Sequence, residues 1–275
     1  MKDKPTQEET VELTDEQRKE LKQLIAEESK KTPFYFGTFG TVKHVELKGA
    51  HMRIFLELNP NYYKLDKIKN DVDVIKRDLY ACLLNLDDSF DPFFKKLVAN
   101  KVGLRIELSS YDVESILEIF ITPEELKTVS ETSRKQINAK EILKRHIQAF
   151  NLSLPVEIDH KIKMRNIEIK QNFLVFNYEV DEVIGNEMNR MRAAKQVMGN
   201  KLLKSLQESK AHTIQIIMDL CKRSNLGISY RYTGAHSGQQ VTIYMYEDEI
   251  NKVSSDSIAS DSLYMKSDLN EFPIY

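Results

Sequence analysis

VELKGAHMRIFLELN at residues 45–59 and IEIKQNFLVFNYEVD at residues 167–181 align without a gap at an offset of 122. Glu46, Lys48 and Glu57 fall on Glu168, Lys170 and Glu179, while Leu47, Ile54 and Leu58 fall on Ile169, Phe176 and Val180. In each stretch apolar residues recur at every second position, the period of a strand with one buried face. Lys48-Gly49-Ala50 and Gln171-Asn172 supply the turns, so each stretch predicts a β-hairpin.

The same offset extends backwards, carrying Pro33 onto Pro155, Phe36 onto Ile158, and Leu21 and Ile25 onto Leu143 and Ile147. Forwards, VGLRIELSSYDVESILEIFITPEEL (102–126) matches LGISYRYTGAHSGQQVTIYMYEDEI (226–250) at offset 124. A near-constant offset through helix, hairpin, helix and hairpin predicts one module copied in tandem. The expected boundaries are a polar N-terminal linker (1–13), a first module (14–128), a second module (133–252) and a Ser/Asp-rich tail (253–275).

Each module opens with a helix. Thr14 is an N-cap candidate followed by Asp15 and Glu16, and Leu21, Leu24 and Ile25 form its stripe. In the second copy Ile142, Leu143, His146, Ile147 and Phe150 repeat that stripe. After the hairpin, Leu65, Ile68, Val72, Ile75, Leu79, Cys82 and Leu86 recur at steps of three and four, predicting one long helix. Met188, Met191, Val197, Met198, Leu202 and Leu206 answer it, as core filling or as a plastic binding face. A shorter helix carries Phe93, Phe94 and Leu97, matched by Ile217, Met218 and Leu220. A closing hairpin pairs 104–108 with 116–121 and 228–232 with 241–246. The expected fold class is α+β, each module a four-stranded, mainly antiparallel sheet with helices on one face.

LPVEID (154–159), FLVFNYEVDE (173–182) and LGISYRYTGAHSGQQVTIYM (226–245) resemble a class of uncharacterised bacterial modules. In these an L-P-x-x-I-D segment leads a hairpin ending in Y-x-V, followed by a helical stretch and a G-x-x-Y-x-Y hairpin. The resemblance covers 150–250 well and 33–126 weakly, where TPFYFG stands for LPVEID and IELSS for YRYTG. Such modules occur in exported or lipid-anchored proteins, which implies an extracytoplasmic, lipoprotein-like setting. In that reading a signal or lipid anchor precedes Lys2 and has been removed; the alternative is a cytoplasmic protein beginning as written.

The formal charge of −2 excludes the strongly basic footprint of a nucleic-acid binder. Residues 1–132 carry 20 Lys/Arg against 25 Asp/Glu, residues 133–252 carry 19 against 13, and residues 253–275 carry 1 against 4. This imbalance reads as drift in solvated faces, or as electrostatic docking of the halves or of an acidic partner. No run of about 20 apolar residues offers a transmembrane segment.

Cys82 and Cys221 lie in apolar helical patterns and read as buried free thiols, with no companion His spacing for a metal. No P-loop, dinucleotide fingerprint, H-E-x-x-H, C-x-x-C or G-x-S-x-G occurs. Asp159-His160 and His236-Ser237 are the only catalytic fragments worth weighing, and adjacent residues in extended structure point apart. The expectation is therefore no catalytic residue, no metal and no cofactor.

Candidate contact residues remain. Arg190, Arg192 and Lys195 begin a basic run that continues through Lys201 and Lys204, and Tyr230, Tyr232, Tyr244 and Tyr246 flank the turn containing His236. Tyrosines there line the core or, pointing outward, offer rigid amphipathic contact area. The tail ends in Phe272-Pro273-Ile274-Tyr275, either a disordered end or a segment that pairs with a sheet edge. The function expected is a non-catalytic binding or assembly protein of the bacterial cell envelope, its partner a protein or envelope component. The alternatives are an enzyme with His/Asp residues converging between the modules, or a cytoplasmic polyanion-binding protein.

Overall fold

The computed structural model describes residues 13–86, 90–111, 113–131, 138–182 and 186–251. The linker and tail read from the sequence lie outside these, apart from Leu13.

Helix α1 (Asp15–Ser29) starts at the capping box anticipated at Thr14: the Gln17 N–H donates to Thr14 Oγ1 and the Thr14 N–H to Gln17 Oε1. Its stripe buries Leu21 and Ile25. Strands β1 (Phe34–Phe36), β2 (Gly40–Lys48) and β3 (His51–Leu58) follow. Along β3, Met52, Ile54, Leu56 and Leu58 are buried while the residues between them are half-exposed, as period-two patterning requires. Helices α2 (Leu65–Ile68), α3 (Val72–Leu84) and α4 (Asp91–Ala99) lead to β4 (Gly103–Ser110), β5 (Val113–Ile121) and helix α5 (Pro123–Glu131).

The second half runs α6 (Ala139–Leu152), β6 (Val156–Glu157), β7 (Ile162–Lys170), β8 (Phe173–Val180), α7 (Asn186–Ala193), α8 (Lys195–Glu208), α9 (His212–Arg223), β9 (Gly227–Gly234), β10 (Gln240–Met245) and α10 (Glu247–Asn251). The protein is α+β, with two five-stranded mixed sheets ordered β1-β2-β3-β4-β5 and β10-β9-β8-β7-β6.

The expectation of four strands is corrected, while the mainly antiparallel pairing holds with one parallel pair in each sheet. Strands β1 and β6 add a fifth member to each sheet, and at three and two residues they are too short for alternation to announce them. Strands β3 and β4 run parallel, as do β8 and β9, because the intervening helices return the chain to the end it left. Each predicted long helix is also broken. Asp71 Oδ1 accepts from the Val74 N–H and starts α3 afresh, and Ala194 separates α7 from α8. Helix α5, which the sequence reading passed over, has a reciprocal cap: the Glu125 N–H donates to Thr122 Oγ1, and the Thr122 N–H to the Glu125 carboxylate.

Pairing registers correspond across the halves. Phe34 faces Val42 as Val156 faces Met164, and His51 faces Gly103 as Phe173 faces Gly227. The β2–β3 register slips between Val42 and His44, and the β7–β8 register between Met164 and Asn166. A Cβ on Gly103 would come within 2.7 Å of the Ile121 carbonyl oxygen, and one on Gly227 within 2.6 Å of the Met245 carbonyl oxygen. Both strands therefore open on the residue that lets the neighbouring backbone approach.

Helices of the two halves pack together, α3 and α2 against α6. Phe150 lies 5.2 Å from the rings of both Tyr62 and Tyr63, and the Lys64 N–H donates to Ser153 Oγ at 2.8 Å. A buried polar chain crosses this contact. Thr38 Oγ1 and the Tyr63 hydroxyl share a 2.9 Å hydrogen bond, the Tyr63 hydroxyl donates to Asp78 Oδ2 at 2.9 Å, and Asp78 Oδ1 meets His146 Nδ1.

Candidate functional site

The second half encloses a cavity of about 520 Å³ between its sheet and its helices. Its floor is β7, β8 and β9, presenting Ile167, Phe176, Tyr178, Ile228, Tyr230 and Tyr232. Met191, Met198, Leu202 and Leu206 of α7 and α8 roof it, and Ile214, Ile217 and Met218 of α9 with Phe150 of α6 close it behind. Asn61 and Tyr62 of the first half complete the wall, so residues of both halves line it.

The first half provides an internal comparison. Phe36, Val42, Val45, Ile54 and Leu104 line a void of about 40 Å³ there. At the sequence offsets these correspond to Ile158, Met164, Ile167, Phe176 and Ile228, all of which line the large cavity. The roof accounts for the difference. Helix α3 buries Ile75, Asp78, Leu79, Ala81, Cys82 and Leu83, whereas α8 buries Leu202 alone and leaves Val197 58% exposed. Helix α8 instead packs beside the edge strand β10, where a Cβ on Gly199 would sit 3.3 Å from Ile243 Cγ2. Its sheet contacts fall mainly on that edge strand, and β7, β8 and β9 face the cavity.

The floor also changes chemically. Leu56 and Leu108 pair across β3 and β4, and Tyr178 and Tyr232 pair at the corresponding place on β8 and β9. Ile106 likewise gives way to Tyr230. The tyrosines stack as a ladder, with Phe176 5.3 Å from Tyr230, Tyr178 6.1 Å from Tyr230 and Tyr178 5.1 Å from Tyr232. Tyr230 and Tyr232 are each only 8% exposed. Burial pushes the phenol of Tyr178 well up, helped by Tyr230, Tyr232 and Tyr62, raises Tyr230, and lifts Tyr232 to about 12. All three stay neutral donors at ordinary pH. None of the three hydroxyls is hydrogen-bonded to another described residue. None of the three is among the buried polar atoms left without a partner, so each opens onto space that a ligand or water can enter.

The cavity is polarised along β8 and β9. Ile228 is the second residue of β9, and Tyr232 lies four residues on, about 13 Å at a strand's rise. At the Tyr232 end Val180 pairs with Ile162, next to Lys161, whose Nζ is 3.7 Å from Glu187 Oε1 at the start of α7. Asp159 Oδ1 is engaged by the backbone N–H groups of Lys161 and Ile162. Arg190, one turn after Glu187, lines the cavity, is exposed, and has no ion pair among the described residues.

The structure divides the candidate contact residues between two faces. Tyr230, Tyr232 and Arg190 belong to the cavity. Tyr244 and Tyr246 are 43% and 57% exposed, pack their edges on Phe173, and receive Lys195 Nζ 5.6 Å above the Tyr244 ring. Arg192 is exposed and reaches Asn189, and His236 sits in an exposed turn 3.3 Å from Asp181. Sequence reasoning missed Tyr178 as a cavity residue, and left Met191 between core filling and a plastic binding face. The available signal was three tyrosines replacing Leu56, Ile106 and Leu108 between otherwise parallel patterns.

Cys82 also has company that spacing could not reveal. Its thiol, the Asp78 carboxylate and His146 lie within 4.8 Å of one another, with His146 brought in from a position far away in sequence. Burial holds the Cys82 thiol well above its ordinary value, so it is no nucleophile. The hydrogen bonds among Thr38, Tyr63, Asp78 and His146 make the cluster a polar link between the halves.

No family model matches the chain. No curated protein matches it either. Among solved structures, one described as "a putative secreted protein" from Pseudomonas aeruginosa matches 43% of this chain and 98% of its own, with 15% identity and a TM-score of 0.34. No helix among the described residues is long and apolar enough to cross a membrane.

Proposed function

We propose that the chain is a non-catalytic binding protein whose second module holds a small, largely apolar molecule between its tyrosine-lined sheet and its methionine-rich helices. The observation that carries this reading is the contrast between corresponding interiors, about 40 Å³ in one half and about 520 Å³ in the other. A volume of that size falls in the range of small-molecule pockets, and the mostly apolar lining with a few convergent polar groups matches their chemistry. The flexible side chains of Met191, Met198 and Met218 suit a wall that adapts to its occupant.

The reading includes a duplicated ancestral module, supported by the shared registers and offsets, in which the first copy keeps a filled core and acts as a scaffold. It also includes an extracytoplasmic location, supported by the resemblance of 150–250 to modules of exported proteins. Titration with the apolar fluorophore 1-N-phenylnaphthylamine tests the binding claim. One saturable site per chain is expected, displaced by long-chain amphiphiles; fluorescence that never saturates, or is unmoved by amphiphiles, overturns it.

A further inference from the structure

We infer that the occupant of the second-module cavity is a single-chain amphiphile with an anionic head, seated with its head at Arg190, Tyr178 and Tyr232 and its chain running toward Ile228. The inference rests on the binding function proposed above and adds the ligand's class and orientation.

Volume sets the number of chains. An apolar cavity of about 150 Å³ accommodates benzene, so by proportion 520 Å³ holds on the order of 20 carbons. One acyl chain of ordinary length fits, and the two chains of a phospholipid do not. Lining residues run along β8 from Phe176 to Val180 and along β9 from Ile228 to Tyr232, a path that a single bent chain can follow.

Charge sets the head. Of the charged side chains lining the cavity, Lys161 Nζ is 3.7 Å from Glu187 Oε1, Glu187 Oε2 is buried without a hydrogen-bond partner, Asp159 Oδ1 takes backbone N–H groups, and Lys201 has an interaction of its own, so three cations stand against two carboxylates. Arg190 remains, with no ion pair among the described residues and a guanidinium suited to a carboxylate or phosphate. The phenols of Tyr178 and Tyr232 lie at the same end, can donate, and have no hydrogen-bond partner among the described residues. An anionic head uses all three. A cationic head meets Arg190 as a like charge, and a neutral alcohol leaves the guanidinium unmatched.

Displacement of 1-N-phenylnaphthylamine from the full chain by hexadecanoate, hexadecanol, hexadecyltrimethylammonium and palmitoyl-lysophosphatidylglycerol tests this. Hexadecanoate or the lysolipid should displace at least tenfold better than the alcohol and better still than the cation; which anion leads distinguishes a free fatty acid from a lysolipid. Arg190→Gln and Tyr232→Phe should each erode that preference several-fold when every head group is scored against the variant's own affinity for the naphthylamine, and Arg192→Gln should leave the preference as it is. Equal displacement by all heads, or a preference that survives Arg190→Gln, overturns the anionic head with the cavity reading intact. Failure of the naphthylamine to bind overturns both.

Discussion

Replacing Ile228 by Phe and Leu104 by Phe enlarges corresponding positions of the two halves, and the contrast between them follows from the cavities. Both residues are buried, each second in its strand (β9 and β4), at 1% and 0% exposure. Each substitution adds three carbons, worth roughly 0.8 kcal/mol apiece if they find apolar space. At Ile228 that space exists, so Ile228→Phe should leave the unliganded protein between unchanged and about 2 kcal/mol more stable. At Leu104 the neighbouring void is about 40 Å³, so the ring must displace Phe94, Ile54 or Val45, at a cost of about 1–3 kcal/mol. The matched difference is about 3 kcal/mol, or roughly 6–12 °C in Tm for a chain of this size. Urea denaturation of both variants measures it, and naphthylamine titration should show that Ile228→Phe alone loses capacity. Equal destabilisation by the two would refute the argument that one core is filled and the other hollow.

Three further outcomes follow from the same interior. Burial lowers the imidazole of His212 to about 4, so the folded protein keeps it neutral while the unfolded chain protonates it near 6.5. Stability from this group is therefore intact above about pH 6.5 and falls, by up to about 3 kcal/mol, as pH drops toward 4; His212→Phe, which retains a ring to stack on Tyr35, should flatten that limb of the stability profile. Asp78→Ala strands His146 and leaves the Tyr63 hydroxyl with Thr38 alone, and should cost about 3–5 kcal/mol, with a double-mutant cycle against His146→Ala strongly non-additive; additive effects under 1 kcal/mol would show that the cross-half link does not hold. Gly37→Ala places a Cβ 2.3 Å from Cys82 Sγ at a φ of +53°, and should destabilise by about 2 kcal/mol or more, a loss that Cys82→Ala relieves in part; a neutral Gly37→Ala would contradict the packing around Cys82.

The elements were legible where a local rule specifies them. Alternation at Ile54, Leu56 and Leu58 marked β3, and the Thr14 cap marked the start of α1, because both depend on neighbours in sequence. The parallel pairing of β3 with β4 was not legible, since strand direction is fixed by the path of α2–α4 and not by any residue of the strands. The breaks at Asn70-Asp71 and Ala194 hid inside continuous apolar stripes, although Asp71 carried a capping signal that the stripe overrode. The cavity was invisible for a related reason. Met191, Met198, Leu202 and Leu206 spell the same stripe whether a helix presses on its sheet or stands away from it, and only the placement of α8 beside Ile243 decides which. The tyrosines at 178, 230 and 232 were the readable trace, because phenols replacing Leu56, Ile106 and Leu108 need polar company that a filled core would not give.

Crystals of the full chain grown with 16-bromohexadecanoate would test the account most directly, through the anomalous signal of the terminal bromine. A single peak inside the second half beside Ile228, with the carboxylate within reach of Arg190 and Tyr232, is the predicted result. A collapsed interior with α8 resting on the sheet, or bromine found only on the outer surface, would contradict it.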